Sequence, residues 1–139
     1  MQGYENGHQA AQALTTANRR YKKIAEFYFD VAEGWRGLAT RNLETAVVLD
    51  APAASSVTGQ ALGQSFTATI SPRLMDDGVR AVLSVSKLGA DGKPQLCATY
   101  LFSLHTDVLL EDGTTVVALD HPERDFLWLA HLVKAVLST

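Results

Sequence analysis

The sequence predicts an α+β fold in which a long N-terminal helix precedes a four- to five-stranded antiparallel β-meander, and a C-terminal helix packs on the sheet. Three patterns predict it: apolar residues three and four apart near the N-terminus, apolar and polar residues alternating in the middle, and a nearly all-apolar segment at the C-terminal end. A chain of 139 residues, 47% of them hydrophobic, is long enough to bury a core, so we expect one domain, 1–139.

The N-terminal helix is expected over residues 8–38. Some 25 to 30 helical residues at a rise of 1.5 Å are roughly 40 Å long, which is more than a domain of this size easily covers. Gly34 and Gly37 each cost a helix about 1 kcal/mol relative to alanine, so we expect an end or a kink near Gly34. The apolar stripe at three- and four-residue spacing consists of Leu14, Ala17, Tyr21, Ile24, Tyr28, Val31, Trp35 and Leu38.

The middle of the chain predicts a connector over 51–64, which is small and turn-prone, and a meander over 65–119. Asp-Gly turns separate four strands, or five if the chain breaks at His105. One face of the sheet is apolar and should pack on the C-terminal helix. The opposite face is rich in small hydroxyl side chains and poor in charge, which fits a solvent surface, a docking face or a ligand cleft. The apolar face of the third strand is expected to contain Leu96, Ala98, Tyr100, Phe102 and Leu104.

The C-terminal helix is expected over 120–138. Asp120 suits the N-cap, Pro122 suits the first turn, and Glu123 lies three residues after Asp120, as in a capping box. The rest of the helix is apolar nearly all round, so it should be covered on more than one side. The N-terminal helix or another subunit must therefore supply the second cover.

Chemical motifs are scarce. The sequence has no phosphate-binding glycine loop, no HExxH, no CxxC and no nucleophile elbow, so we assign no catalytic residue, no metal ligand and no cofactor. Cys97 is the single cysteine, which excludes an intramolecular disulfide. His105, Asp107, Cys97 and Ser103 share one strand face and allow a nucleophilic arrangement, but polar residues near a strand end explain them better.

Charge argues against nucleic acid as a partner, because the net charge is −3. The basic run 19–23 spreads around the helix, and acidic residues follow it on the next turns, so it fits a solvated face. No apolar stretch is long enough to span a bilayer, and the first residues do not resemble a signal peptide. We therefore expect a cytoplasmic protein with no membrane partner.

These observations favour a non-enzymatic interaction, adaptor, chaperone-like or inhibitor protein that acts as a homodimer and possibly contacts another protein. The alternative is a small protein that binds an apolar ligand, or less readily an enzyme, with a pocket between sheet and helices. The candidate pocket residues are Tyr100, Phe102, His105 and Trp128. The candidate interface residues are Leu14, Tyr21, Ile24, Tyr28, Val31 and Trp35.

Overall fold

The computed structural model describes residues 3–139 and has the expected α+β architecture. The strands of this part of the chain form one curled antiparallel sheet in which each strand pairs with the next along the sequence. The sheet has seven strands among residues 3–139, more than the four or five that the sequence predicts. The elements are α1 (Gly7–Asn42), β1 (Val47–Leu49), β2 (Ser56–Ala61), β3 (Gln64–Met75), β4 (Gly78–Leu88), β5 (Pro94–Phe102), β6 (Val108–Leu110), β7 (Thr115–Val117) and α2 (Arg124–Ser138).

Helix α1 is continuous over 36 residues and passes through both glycines. Of the two alternatives that the sequence leaves open near Gly34, an end or a kink, the end is therefore wrong. Its N-terminus is capped by Asn6, whose side chain accepts a hydrogen bond from the backbone N–H of Gln9 at 2.8 Å. Val31 and Trp35, which flank Gly34, are both buried. Their packing holds the helix against the core and offsets the free-energy cost of the glycine. The buried stretch begins at Ile24, and the turns before it are mostly exposed.

Strand β2 lies within the predicted connector 51–64. Its buried positions are Val57, Gly59 and Ala61, and these residues are too small to produce a marked apolar alternation in the sequence. Glycine is required at position 59, because a Cβ there would lie 2.6 Å from the carbonyl oxygen of Val48 and 2.6 Å from Cδ2 of Leu49. The sequence pattern does not predict this strand, because its composition is determined by the close approach of β1 and not by large apolar side chains.

The core lies between one face of the sheet and the two helices, and aromatic rings fill its centre. Phe102 and Trp128 are 4.9 Å apart between ring centroids, and Trp35 and Trp128 are 5.1 Å apart, both edge to face. Tyr28 joins this cluster at 6.1 Å from Phe102, and its hydroxyl donates to the backbone oxygen of Ala68 at 3.0 Å. Edge-to-face rings at these distances stabilise a core beyond their buried area.

A β-bulge at Cys97 changes the face that Leu96 occupies. Ala98 pairs with Val85, but Leu96 pairs with Ser86, so Cys97 is an extra residue on β5. The alternation reverses at this point, and Leu96 lies on the outer face, exposed to solvent. The prediction of Leu96 on the apolar face is therefore wrong.

The outer face of the sheet contains a small buried patch. Val82 and Leu101 face each other across β4 and β5, and they are only 6% and 5% exposed although no helix covers this face. Arg73 on β3 donates to Oε1 of Glu111 at 2.8 Å, and β4 and β5 lie between these two residues in the sheet order. This ion pair therefore links the two sides of the patch on a face that otherwise carries mostly hydroxyls.

Helix α2 begins at Arg124, later than predicted, and the predicted capping box does not form. The N-cap residue is Glu123, which makes no side-chain cap hydrogen bond. The preceding residues form consecutive turns instead, in which the N–H of His121 bonds to the carbonyl of Ala118 and that of Arg124 bonds to the carbonyl of His121. Asp120 lies in these turns, too far from the helix to cap it.

The C-terminal end of α2 is held by a lysine from the sheet. Lys87 Nζ donates to the backbone oxygens of Val136 at 2.8 Å and Thr139 at 2.5 Å, and to the side chain of Gln64 at 3.1 Å. A cation at a helix C-terminus satisfies carbonyl groups that lack helical partners and complements the helix dipole. This contact fixes α2 along the sheet.

Candidate functional site

The predicted pocket between sheet and helices is occupied by its own side chains. Tyr100, Phe102 and Trp128 are fully buried and in ring contact, with 6.3 Å between the centroids of Tyr100 and Trp128. The structure does not bring His105 to them, because His105 is exposed in the loop between β5 and β6. The three aromatic residues act as core.

The predicted interface residues divide into two groups along α1. Ile24, Tyr28, Val31 and Trp35 are buried inside the subunit and have no surface to offer a partner. Tyr21 is partly buried, and Leu14 is 55% exposed. The accessible part of the apolar stripe therefore lies in the first half of the helix.

A groove runs between the first half of α1 and the tip of the β3–β4 hairpin, and we call it the α1–hairpin groove. Its volume is about 1140 Å³. The apolar part of its wall consists of alanines from α1 and of Leu74, Met75 and Val79 from the hairpin. Arg19 and Arg20 lie at the end of the groove nearer the core.

A second, smaller cavity of about 480 Å³ adjoins this groove and shares Arg20, Asp77, Gly78 and Val79 with it. We call it the basic pocket, because three cationic side chains line it. They come from α1 and β4, and the loop between β5 and β6 closes the remaining side. The polar residues of its wall are Arg20, Lys23, Asp77, Arg80, Ser103, His105 and Thr106.

The charges of the basic pocket are only partly neutralised. Arg80 Nη2 donates to Oδ2 of Asp77 at 2.8 Å, and this hydrogen bond and the arginine charge lower the pKa of the Asp77 carboxyl. Within residues 3–139, neither Arg20 nor Lys23 forms an ion pair. The sequence distributes the basic run around α1, but these two residues, three apart, reach the same cavity.

The polar residues that the sequence allows for a nucleophilic arrangement have separate structural partners. Asp107 Oδ1 accepts the backbone N–H of Leu119 at 2.8 Å, and the Ser103 hydroxyl donates to Thr106 Oγ1 at 3.2 Å. Cys97 lies at the β5 bulge, where its thiol contacts the backbone oxygen of Gln95. In the described part of the chain, no three His, Cys, Asp or Glu side chains are grouped to hold a metal ion.

One partly buried polar pair, between Tyr100 and His131, is not predicted by the sequence patterns. Tyr100 Oη and His131 Nδ1 are 2.7 Å apart, and the two rings are in edge-to-face contact at 5.5 Å. Burial lowers the pKa of His131, and the nearby Lys134 charge lowers it further. Burial raises the pKa of Tyr100. The pair joins α2 to β5.

Comparisons with known proteins give no relative. No family model, curated protein or solved structure matches the chain. Neither of the two helices in residues 3–139 combines the length and apolar character needed to cross a membrane. Function must therefore be inferred from the surfaces themselves.

Proposed function

We propose that this protein is a non-enzymatic interaction module of the cytoplasm that forms a homodimer through the first half of α1. The observation that carries the proposal is that the apolar stripe continues beyond the part of the helix that the sheet covers. Leu14 is 55% exposed, and Ala13 and Ala17 line the open α1–hairpin groove. An exposed apolar stripe that continues a core stripe is typical of a contact surface.

The composition of this helix segment supports a second copy as the partner. Residues 7–18 contain no Asp, Glu, Lys or Arg, although most of them are exposed. The centres of protein interfaces are depleted of charge in the same way. In a two-fold contact, residues near the axis meet their own counterparts, so an uncharged segment avoids like-charge repulsion. The alanines at 10, 11, 13 and 17 also allow two helices to approach closely.

The rival proposal, an apolar-ligand binder or an enzyme, has less support. The space between sheet and helices is filled by buried rings, whose centroids are 4.9 Å apart at Phe102 and Trp128. The residues available for nucleophilic chemistry are bonded to different partners. Binding to another protein chain therefore fits these surfaces better than catalysis does.

The mass in solution tests the proposal. We expect light scattering on the eluting protein to give about 30 kDa, twice the 15.0 kDa of one chain. Leu14→Asp should reduce this mass to that of the monomer, because the new carboxylate would lie at the contact. Leu62→Asp is the matched control, since Leu62 is 67% exposed in the β2–β3 turn, at the opposite end of β3 from the hairpin tip that borders the first half of α1. A monomeric wild-type protein would refute the homodimer, and a dimeric Leu14→Asp variant would refute the proposed contact.

A further inference from the structure

We infer that the basic pocket binds the phosphate group of a small phosphomonoester. Three separate elements line it: α1 with Arg20 and Lys23, β4 with Arg80, and the β5–β6 loop with Thr106. The inference stands apart from the homodimer, because Leu14 does not line this pocket.

The charge of the pocket differs in sign from that of the whole protein. The chain has a net charge of −3, whereas the pocket contains Arg20, Lys23 and Arg80 against Asp77 alone, which leaves two positive charges. Asp77 is bound to Arg80 at 2.8 Å, so it does not neutralise the two α1 cations directly. Cations that share a cavity repel one another, and an anion placed between them removes this repulsion. A phosphomonoester at pH 7.5 is largely a dianion and matches the surplus.

The hydrogen-bonding groups of the pocket are mostly donors. Thr106 Oγ1 accepts from both the N–H and the hydroxyl of Ser103, at 3.0 Å and 3.2 Å, so its own hydrogen is available to donate. Arginine and lysine side chains donate and cannot accept. A phosphomonoester dianion has only acceptor oxygens, and charge-assisted bonds from arginine to phosphate are among the stronger ones.

The shape of the site fits a group larger than a free ion. The volume of about 480 Å³ leaves room for an organic group beside the phosphate. Gly78 lies at the hairpin turn with φ of +124°, and a Cβ at this position would be 3.4 Å from Nη1 of Arg20. The guanidinium of Arg20 therefore lies in close reach of the hairpin turn where the hairpin approaches α1.

Titrations monitored by backbone amide NMR would test the inference at pH 7.5 and constant ionic strength. The probes are inorganic phosphate, phenyl phosphate and acetate. We expect saturable shifts at the Gly78 and Thr106 amides with both phosphates, tighter binding of phenyl phosphate, and at least about tenfold weaker binding of acetate, because a monoanion leaves one positive charge unmatched. If inorganic phosphate binds as tightly as phenyl phosphate, the assignment to a phosphomonoester is wrong. If no shift saturates, the site is wrong altogether.

Matched variants distinguish binding in the pocket from nonspecific attraction of the anion to positive charge elsewhere on α1. The double variant Arg20→Gln/Lys23→Gln removes two charges that line the pocket. The double variant Arg19→Gln/Lys22→Gln removes the same two residue types from the same helix, at positions that do not line the pocket. The first variant should weaken phenyl phosphate at least about tenfold and the second less than about twofold. Equal losses in the two variants would overturn the inference. All four side chains are on exposed residues, so circular dichroism should show both variants folded. Leu14→Asp should bind phenyl phosphate like the wild type, whatever its mass.

Discussion

The indole nitrogen of Trp35 donates a hydrogen bond to the backbone oxygen of Asp125 at 2.7 Å and so joins α1 to the first turn of α2, 90 residues later. Trp128 packs edge to face against Trp35, with 5.1 Å between the ring centroids. Its own indole nitrogen is buried and has no hydrogen-bond partner among the described residues. Two adjacent tryptophans of the core therefore differ in whether their polar atom is satisfied.

This difference predicts an order of stabilities. Trp35→Phe should lower the free energy of unfolding by about 1–3 kcal/mol, because it removes a hydrogen bond as well as ring volume. Trp128→Phe loses a similar volume, but it also removes an unsatisfied buried donor, whose burial costs about 1–3 kcal/mol. We therefore expect Trp128→Phe to be the less destabilising variant in urea unfolding. A larger loss for Trp128→Phe would contradict this.

Two glycine substitutions should change stability in opposite directions. Gly59→Ala should destabilise strongly, because its Cβ would lie 2.6 Å from the Val48 carbonyl oxygen, which is backbone and cannot move alone. Gly34→Ala should stabilise by about 0.5–1 kcal/mol, since a Cβ at this position would meet no atom within 4 Å apart from the backbone of its own helical turn. Thermal unfolding measures both. A neutral Gly59→Ala would mean that β1 and β2 are less closely packed than described.

Lys87→Met should loosen the end of α2. It removes the ammonium group that donates to the carbonyls of Val136 and Thr139, and we expect a loss of about 1–2 kcal/mol. Amide hydrogen exchange should show the loss of protection in the last turn of α2, with the first turns unchanged. Lys93→Met, in the exposed β4–β5 turn, is the control and should alter neither quantity. Unchanged exchange in Lys87→Met would rule out the capping role.

His131 should make stability depend on pH. Its pKa in the folded protein is below the ordinary value of 6.5, so the unfolded chain binds more protons between these two values. The stability contribution is therefore complete above about pH 6.5 and decreases as the pH falls toward the folded pKa. Neutral His131 can accept the hydrogen bond of Tyr100 at Nδ1, whereas the protonated ring cannot.

The control for this pH dependence is His131→Gln, which stays neutral at every pH and keeps a polar group near Tyr100. Urea unfolding from pH 8 to pH 5 should show a smaller decline in the variant than in the wild type. Identical pH profiles for the two proteins would show that His131 does not contribute.

Local sequence patterns predicted those elements whose buried residues recur at a regular spacing. The three- and four-residue spacing from Ile24 to Trp35 located the buried face of α1, because such spacing repeats with the helical turn. The same approach failed at β2, where Gly59 is dictated by the neighbouring strand, and at Leu96, where one extra residue reverses the alternation. Both depend on contacts between strands, which spacing along one strand does not encode.

The candidate sites illustrate the same limit. The spacing in the sequence places Leu14 on the apolar stripe of α1. It does not indicate how far along α1 the sheet extends, and this determines that Leu14 is exposed. The sequence also separates Arg20 and Lys23 from Arg80 by more than fifty residues. The hairpin between β3 and β4 brings them to one cavity, and only the tertiary fold determines that approach.

The unbroken course of α1 has a mechanical consequence. At a rise of 1.5 Å per residue, about 32 Å of continuous helix separates Leu14 from Trp35. A tilt imposed on the exposed end must either bend this rod or displace its other end, where the Trp35 indole is anchored to Asp125. The fluorescence of Trp35 is therefore placed to report events at a surface that the indole never touches.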